Sequence, residues 1–243
     1  GSLHMSRPVA VRTGGIGGLG IGICRRLARA GHRVVAADLA SREERIAQFR
    51  AEVADFGDQI VFEPLDVASF ESCAALAERV GATLGPIGIL VNAAGITRDG
   101  TLRKMPPEQW RAVLGINLDG VYNMCRQVVD NMCERGHGRI VNISSVNGQT
   151  GQFGQTNYSA AKAGMHGLTM ALAREVARKG VTVNSVSPGY CRTELVASIP
   201  ENVRNEIIAR IPVGRPGAPD ELARAVAFLA ADSAGYIPGA NLP

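Results

Sequence analysis

The chain has 243 residues, 46% of them hydrophobic and 20% charged, which is enough apolar material to bury a sizeable core in one large domain or two small ones. Its formal net charge of +4 is mild and unclustered, which argues against nucleic acid as a partner, and no apolar run reaches the ~18 residues of a membrane span. The five cysteines (Cys24, Cys73, Cys125, Cys133, Cys191) form no CxxC and the four histidines have no metal-ligand spacing, so reduced thiols, no metal and a cytoplasmic location are expected.

Residues 1–4, GSLH, read as vector-derived, leaving a single domain over 5–243. Pro8 to Thr13 is a strand candidate interrupted by Arg12. It runs into Thr13-Gly-Gly-Ile-Gly-Gly-Leu-Gly20, and Ile21 to Ala30 follow with helical spacing, closed by Gly31. Strand, glycine turn and helix in that order make a dinucleotide cradle. The glycines let the backbone approach a pyrophosphate, and the helix N-terminus aims N–H groups at it. Gly14, Gly15, Gly17, Gly18, Leu19 and Gly20 are therefore candidate cofactor contacts. A tight βα turn without a ligand is the alternative.

The second strand, Arg33 to Ala37, ends at Asp38, an acid placed to accept hydrogen bonds from ribose hydroxyls and to repel a 2′-phosphate. That favours NADH. Arg42, read as a solvated helix residue, is the group that would favour NADPH instead. Gln59 to Leu65 is a third strand, ending at Asp66 and Val67, and Ile87 to Val91 is a fourth, ending at Asn92-Ala93-Ala94-Gly95. All are placed at the carboxyl ends of strands, where an open parallel sheet binds its ligand.

One long helix is predicted over Pro107 to Cys133, with Asn117 inside it, a mid-helix amide that needs a partner. Gly138 to Ile143 is a fifth strand, leading to Ser144 and Ser145. A helix from Tyr158 to about Lys179, a sixth strand over Val181 to Val186, and helices over Glu201 to Ala209 and Pro219 to Ala231 follow. The tail from Gly239 could begin a seventh strand. The alternation is continuous, so the fold class is α/β: one doubly wound, Rossmann-type domain, its sheet mostly parallel and its helices on both faces.

The chemistry concentrates in Ser145 to Lys162. Tyr158 and Lys162, four residues apart, share a helical face. The expectation is that the ammonium favours phenolate and draws the phenol pKa down from about 10, giving a usable acid or base. The glycine-rich run between Ser145 and Tyr158 can carry the chain back so that Ser145 faces the same space. A surface Tyr and Lys at an ordinary helix start is the alternative.

These segments, TGGIGGLG, Asp66-Val67, NAAG, the Asn of INL, SS…YSAAK and SPGYCRT, resemble the classical short-chain dehydrogenase/reductase family over nearly the whole chain. The resemblance implies a catalytic set of Asn117, Ser145, Tyr158 and Lys162. Tyr158 would give a proton to the substrate oxygen in reduction, Ser145 would hold that oxygen, Lys162 would bond the nicotinamide ribose, and Asn117 would position a relay water. Pro188, Gly189 and Thr193 would hold the nicotinamide amide. The cofactor would be NAD(P)H.

Within the family, NAAGITRD, QFGQTNYSAAKAGMHGLTMALA and VTVNSVSPGY are similar to acetoacetyl-CoA reductases of polyhydroxybutyrate synthesis. The likeness implies reduction of acetoacetyl-CoA to 3-hydroxybutyryl-CoA, with Gln152, Phe153, Gln155 and Tyr190 on the acyl group or pantetheine arm. Alternatively, Phe153 packs in the core and the glutamines cap turns. The related 3-oxoacyl-carrier-protein reductases are the alternative enzyme, and a non-catalytic nucleotide-binding regulator is the alternative of another class. Family likeness also implies a homotetramer. Three departures stand out: Arg12 in place of an apolar residue, Ala93 in place of a second asparagine, and Asp38 in place of an NADPH-type residue.

Overall fold

The computed structural model describes residues 7–191 and 199–243. Among the described residues seven strands form one sheet in the order β3-β2-β1-β4-β5-β6-β7, and every pair is parallel. The strands are β1 Val9–Thr13, β2 Val34–Asp38, β3 Ile60–Pro64, β4 Ile87–Asn92, β5 Gly138–Ile143, β6 Val181–Val186 and β7 Asn241–Leu242. The order reverses direction between β1 and β4, which opens a crevice at their carboxyl ends.

The helices are α1 Gly18–Arg29, α2 Glu43–Glu52, α3 Phe70–Thr83, α4 Pro107–Leu114, α5 Gly120–Arg135, a single turn α6 Asn147–Thr150, α7 Thr156–Val176, α8 Glu201–Ala209 and α9 Pro219–Ala230. Strand side chains alternate between the two faces of the sheet, so two cores form. Val9, Val11, Val35, Leu90, Ile140 and Val183 point to the face covered by α3, α5 and α7. Ala10, Val34, Ala36, Ile89 and Val141 point to the face covered by α1, α2 and α9. The second layer is close because small residues meet: a Cβ on Gly22 of α1 would be 3.8 Å from the Ala223 methyl of α9.

The long helix expected over Pro107 to Cys133 is interrupted. Between α4 and α5 lies a π-helical turn, Gly115–Asp119, with Asn117 at its centre and fully buried. The wider turn spends one extra residue, a pattern that no periodicity of apolar residues encodes and that recurs at functional sites. The helix expected to open at Tyr158 begins two residues earlier, at Thr156, because Asn157 turns inward: its Oδ1 accepts the Tyr158 N–H at 2.8 Å and its Nδ2 donates to the Arg98 carbonyl at 3.0 Å. The short tail does form β7, paired with β6.

Candidate active site

β5 delivers Ser144 and Ser145 to the crevice, and the start of α7 delivers Tyr158 and Lys162 beside them. Ser145 hydrogen-bonds the Tyr158 phenol, and its Oγ accepts the Asn147 N–H at 3.2 Å. Lys162 is 4% exposed. Its ammonium lies 5.6 Å from the Tyr158 ring centroid and donates to the Ile143 carbonyl at 3.0 Å. Burial pulls the Lys162 pKa down to about 8.

The expected depression of the phenol pKa is not what this geometry gives. The Tyr158 pKa is raised: burial is the largest cause, the Ser145 hydrogen bond opposes it, and the carboxylate of Asp99 adds to it. The ammonium is committed to a backbone carbonyl and stacks on the ring face, so burial of the phenol outweighs it.

Asn117 reaches the same space from the π turn. Its Nδ2 donates to the carbonyls of Ile96 and Val113, both at 2.9 Å, and its Oδ1 is buried with no hydrogen bond. A Cβ placed on Gly95 would lie 2.7 Å from that oxygen and 3.6 Å from Lys162 Nζ. The lysine and the free amide oxygen therefore flank one glycine, at a place where a side chain would collide with the amide.

Next to this cluster lies a cavity of about 850 Å³ lined by Gly15, Ile16, Gly17, Gly18, Leu19, Gly20, Ala93 and Gly95. Gly14 and Gly15 have φ of 69° and 56°, a conformation that favours glycine. A Cβ on Gly14 would come within 2.3 Å of the Ala94 Cα, so the loop is pressed onto the end of β4. Thr13 Oγ1 accepts the Ala93 N–H at 3.2 Å and is 3.4 Å from the Ala94 N–H. Asp38 is buried on the neighbouring strand. Its Oδ1 accepts the Leu39 N–H at 2.8 Å, and its Oδ2 has no hydrogen bond, lying 3.8 Å from Arg42 Nη1. These features fit a dinucleotide: a glycine cradle at a helix N-terminus and an unused carboxylate oxygen where a ribose would sit.

A family model described as short chain dehydrogenase matches residues 8–204. The chain belongs to the short chain dehydrogenase family. An acetoacetyl-CoA reductase of Allochromatium vinosum is 54% identical to it over 235 residues, covering 97% of this chain and 96% of that protein. One of Rhizobium meliloti is 54% identical over 239 residues, with 98% and 96% covered. A 3-oxoacyl-acyl-carrier-protein reductase of Pseudomonas aeruginosa is 43% identical over 242 residues, covering 99% and 97%. As a short chain dehydrogenase, the protein is an NAD(P)-dependent oxidoreductase acting on a ketone or hydroxyl group.

Other residues singled out from the sequence of this short chain dehydrogenase sit at various depths. Asn92 Nδ2 donates to Asn142 Oδ1 at 2.9 Å and is 3.6 Å from Cys125 Sγ, tying β4 to β5 and α5. The Asp66 carboxylate accepts the Ala68 N–H at 3.0 Å, and Val67 packs beneath α5, where a Cβ on Gly120 would strike its Cγ2 at 2.9 Å. Pro188 and Gly189 follow β6, with the Pro188 carbonyl 3.5 Å from the Val146 N–H. Thr193 lies outside the described residues. Gln155 accepts from Asn147 Nδ2 at 3.0 Å and donates to Asp99 Oδ1 at 3.2 Å. Gln152 and Tyr190 are exposed, and Phe153 is 89% exposed, so it has no place in the core.

Three site residues escaped the sequence reading. Asp99 sits in ITRD, whose charge faces the phenol through the strand-like contact of Gly100 with Gln155. Asn147 links Ser145 to Gln155. His166, one turn after Lys162, lies with its Nε2 3.1 Å from Ser144 Oγ and 3.3 Å from Ser187 Oγ. Helical spacing from Lys162 could have found His166, whereas the other two depend on how the loop folds. Among the described residues no group of three His, Cys, Asp or Glu side chains could hold a metal, and no helix is long and apolar enough to cross a membrane.

Proposed function

We propose that this protein reduces the 3-keto group of acetoacetyl-CoA to the 3-hydroxyl, with Tyr158 as the proton donor. The observation that carries the reading is the Ser145 to Tyr158 hydrogen bond with Lys162 stacked on the phenol ring, beside Gly95 of the glycine-lined cavity. The substrate assignment is supported by the acetoacetyl-CoA reductases at 54% identity over nearly the full length of both chains.

When bound, the reduced nicotinamide supplies a hydride to the keto carbon. Gly14 to Gly20 and the N-terminus of α1 would hold its diphosphate, and Asp38 Oδ2 the adenosine ribose. Ala93, Ala94 and Gly95 would line its path, and Pro188, Gly189 and Thr193 its amide. On the protein side, the raised pKa keeps the Tyr158 proton in place at neutral pH, so the phenol arrives as an acid. Ser145, already within hydrogen-bond reach, can redirect the hydrogen bond it donates from the phenol oxygen to the keto oxygen. Lys162 has a pKa near 8 and can pass a proton toward the phenol near physiological pH. The open Oδ1 of Asn117 can hold a water beside it. Gln152, Phe153, Gln155 and Tyr190 would meet the acyl group and pantetheine arm.

NADH is the cofactor this reading favours, because a buried carboxylate at Asp38 repels a 2′-phosphate. Arg42 and Arg45 on the cavity wall are the features that support NADPH instead. A matrix of NADH and NADPH against acetoacetyl-CoA and acetoacetyl-carrier protein tests both choices. Equal or better turnover of the carrier-protein thioester would reassign the substrate.

A homotetramer is the proposed assembly. Support comes from an open groove between α5 and α7 lined by Tyr122, Val129, Leu168 and Leu172, and from Tyr122 and Met170 on those helices, at 52% and 54% exposure. Sedimentation velocity giving a stable monomer would refute it.

A further inference from the structure

Arg12 is a buried charge beneath the glycine loop. It is the fourth residue of β1, and strand alternation puts its side chain on the face covered by α1. It is 3% exposed, yet lines the glycine-loop cavity. No carboxylate among the described residues forms an ion pair with it. Asp38 contributes only at longer range, and Arg12 Nε has no hydrogen bond. A buried cation without a partner is costly, and a guanidinium stays protonated at neutral pH.

What Arg12 does touch is the loop. Its Nη1 donates to the carbonyl of Gly14, and to that of Gly15 at 2.7 Å. A trans peptide holds its C=O and the next N–H antiparallel. Carbonyls drawn onto Arg12 therefore turn the N–H groups of Gly15 and Ile16 the other way, toward the cavity. The contact is close: a Cβ on Gly20 would lie 2.3 Å from Arg12 Nη1 and 1.8 Å from the Gly15 carbonyl oxygen. The positive end of the α1 dipole faces the same space. Two positive sources thus converge beneath one loop, with no carboxylate of the described residues paired to Arg12.

We propose that Arg12 is a positioning and affinity-determining residue for the diphosphate of the dinucleotide. It latches the Gly14 and Gly15 carbonyls beneath the loop so that the following N–H groups face the phosphates, and it adds a fixed positive charge under them. The inference rests on the dinucleotide-binding reading above. It assigns to β1 a share of phosphate recognition otherwise left to loop backbone and helix dipole.

The test compares ADP-ribose with adenosine, by calorimetry, on the intact protein and on Arg12→Val and Arg12→Lys. Valine suits a buried strand position. Losing a charge-assisted contact should weaken ADP-ribose by about tenfold or more and leave adenosine, which has no phosphate, within about twofold. Arg12→Lys keeps the charge but not the fork, and should fall between. Inorganic pyrophosphate should compete with ADP-ribose on the unaltered protein and not on Arg12→Val, and raised salt should narrow the gap between the two. If Arg12→Val does not fold, Arg12→Met and Arg12→Lys carry the same ratio. Equal ADP-ribose affinity in the folded variants, or equal loss for adenosine and ADP-ribose, would overturn the assignment and leave the dinucleotide reading intact. Failure of the unaltered protein to bind ADP-ribose would overturn both.

Discussion

The ammonium of Lys162 is held at 3.0 Å by the carbonyl of Ile143, the last residue of β5, and not by a carboxylate. A neutral acceptor cannot offset the loss of water around a buried charge, and the Lys162 pKa falls to about 8 from an ordinary 10.5. Between those two values the unfolded chain binds more protons than the folded one, so this group makes stability rise as pH increases from about 8 to 10.5. Below pH 8 it is a constant penalty.

Lys162→Met should therefore raise the melting temperature of the cofactor-free protein at pH 7 while abolishing most turnover. It should also flatten the rise in stability above pH 8. Thermal unfolding at pH 7, 8 and 9.5 checks this. A melting temperature lowered at pH 7 would mean that the ammonium is a net stabiliser, against the shift described above.

Tyr158→Phe removes the proton donor and leaves the cavity walls unchanged. Cofactor affinity should hold within about threefold while kcat falls by roughly 10²–10⁴, the range for a general acid. Stopped-flow binding with steady-state rates separates the two quantities. Retained turnover would exclude Tyr158 as the acid.

Asp38→Ser should shift the ratio of kcat/KM for NADH over NADPH downward by tenfold or more, at about 1.4 kcal/mol per tenfold. The carboxylate is buried with Oδ2 unbonded, and Arg42 at 3.8 Å is then free to pair with a 2′-phosphate. An unchanged ratio would move the discrimination elsewhere on the cavity wall.

Much of this was legible in the sequence, for identifiable reasons. Strands such as Gly138–Ile143 and Val181–Val186 are rich in β-branched residues and each follows a turn glycine, Gly136 or Gly180, so their bounds emerge directly. The Ser145, Tyr158 and Lys162 cluster is visible as spacing because one helix and one strand end carry it. The sign of the Tyr158 shift was not legible. It depends on how deeply the ring is buried and on Asp99, fifty-nine residues before it, and neither has a local signature. Asn92 shows the same limit: its position at a strand end is right for a ligand contact, but alternation turns its side chain into the layer beneath α5 and α7, where it meets Asn142.

Gly14→Ala should be poorly tolerated. The residue has φ 69°, and its Cβ would overlap the Ala94 backbone at 2.3 Å, so the loop must leave β4. Loss of ADP-ribose binding and destabilisation by several kcal/mol are expected, measured by calorimetry and urea unfolding. Gly18→Ala, with nothing within 4 Å, is the contrasting control and should fold normally.

The π turn at Gly115–Asp119 has a topological consequence. It absorbs one residue between two otherwise regular rods without disturbing the phase of either. Deleting one of Gly115, Ile116, Leu118 or Asp119 would let a continuous α-helix form with Val121, Met124 and Val128 still facing their packing, so the protein should fold. The Asn117 amide would lose the wide turn that aims it, so turnover should fall while stability holds. The helix count in this segment is thus fixed by where one carbonyl oxygen must point.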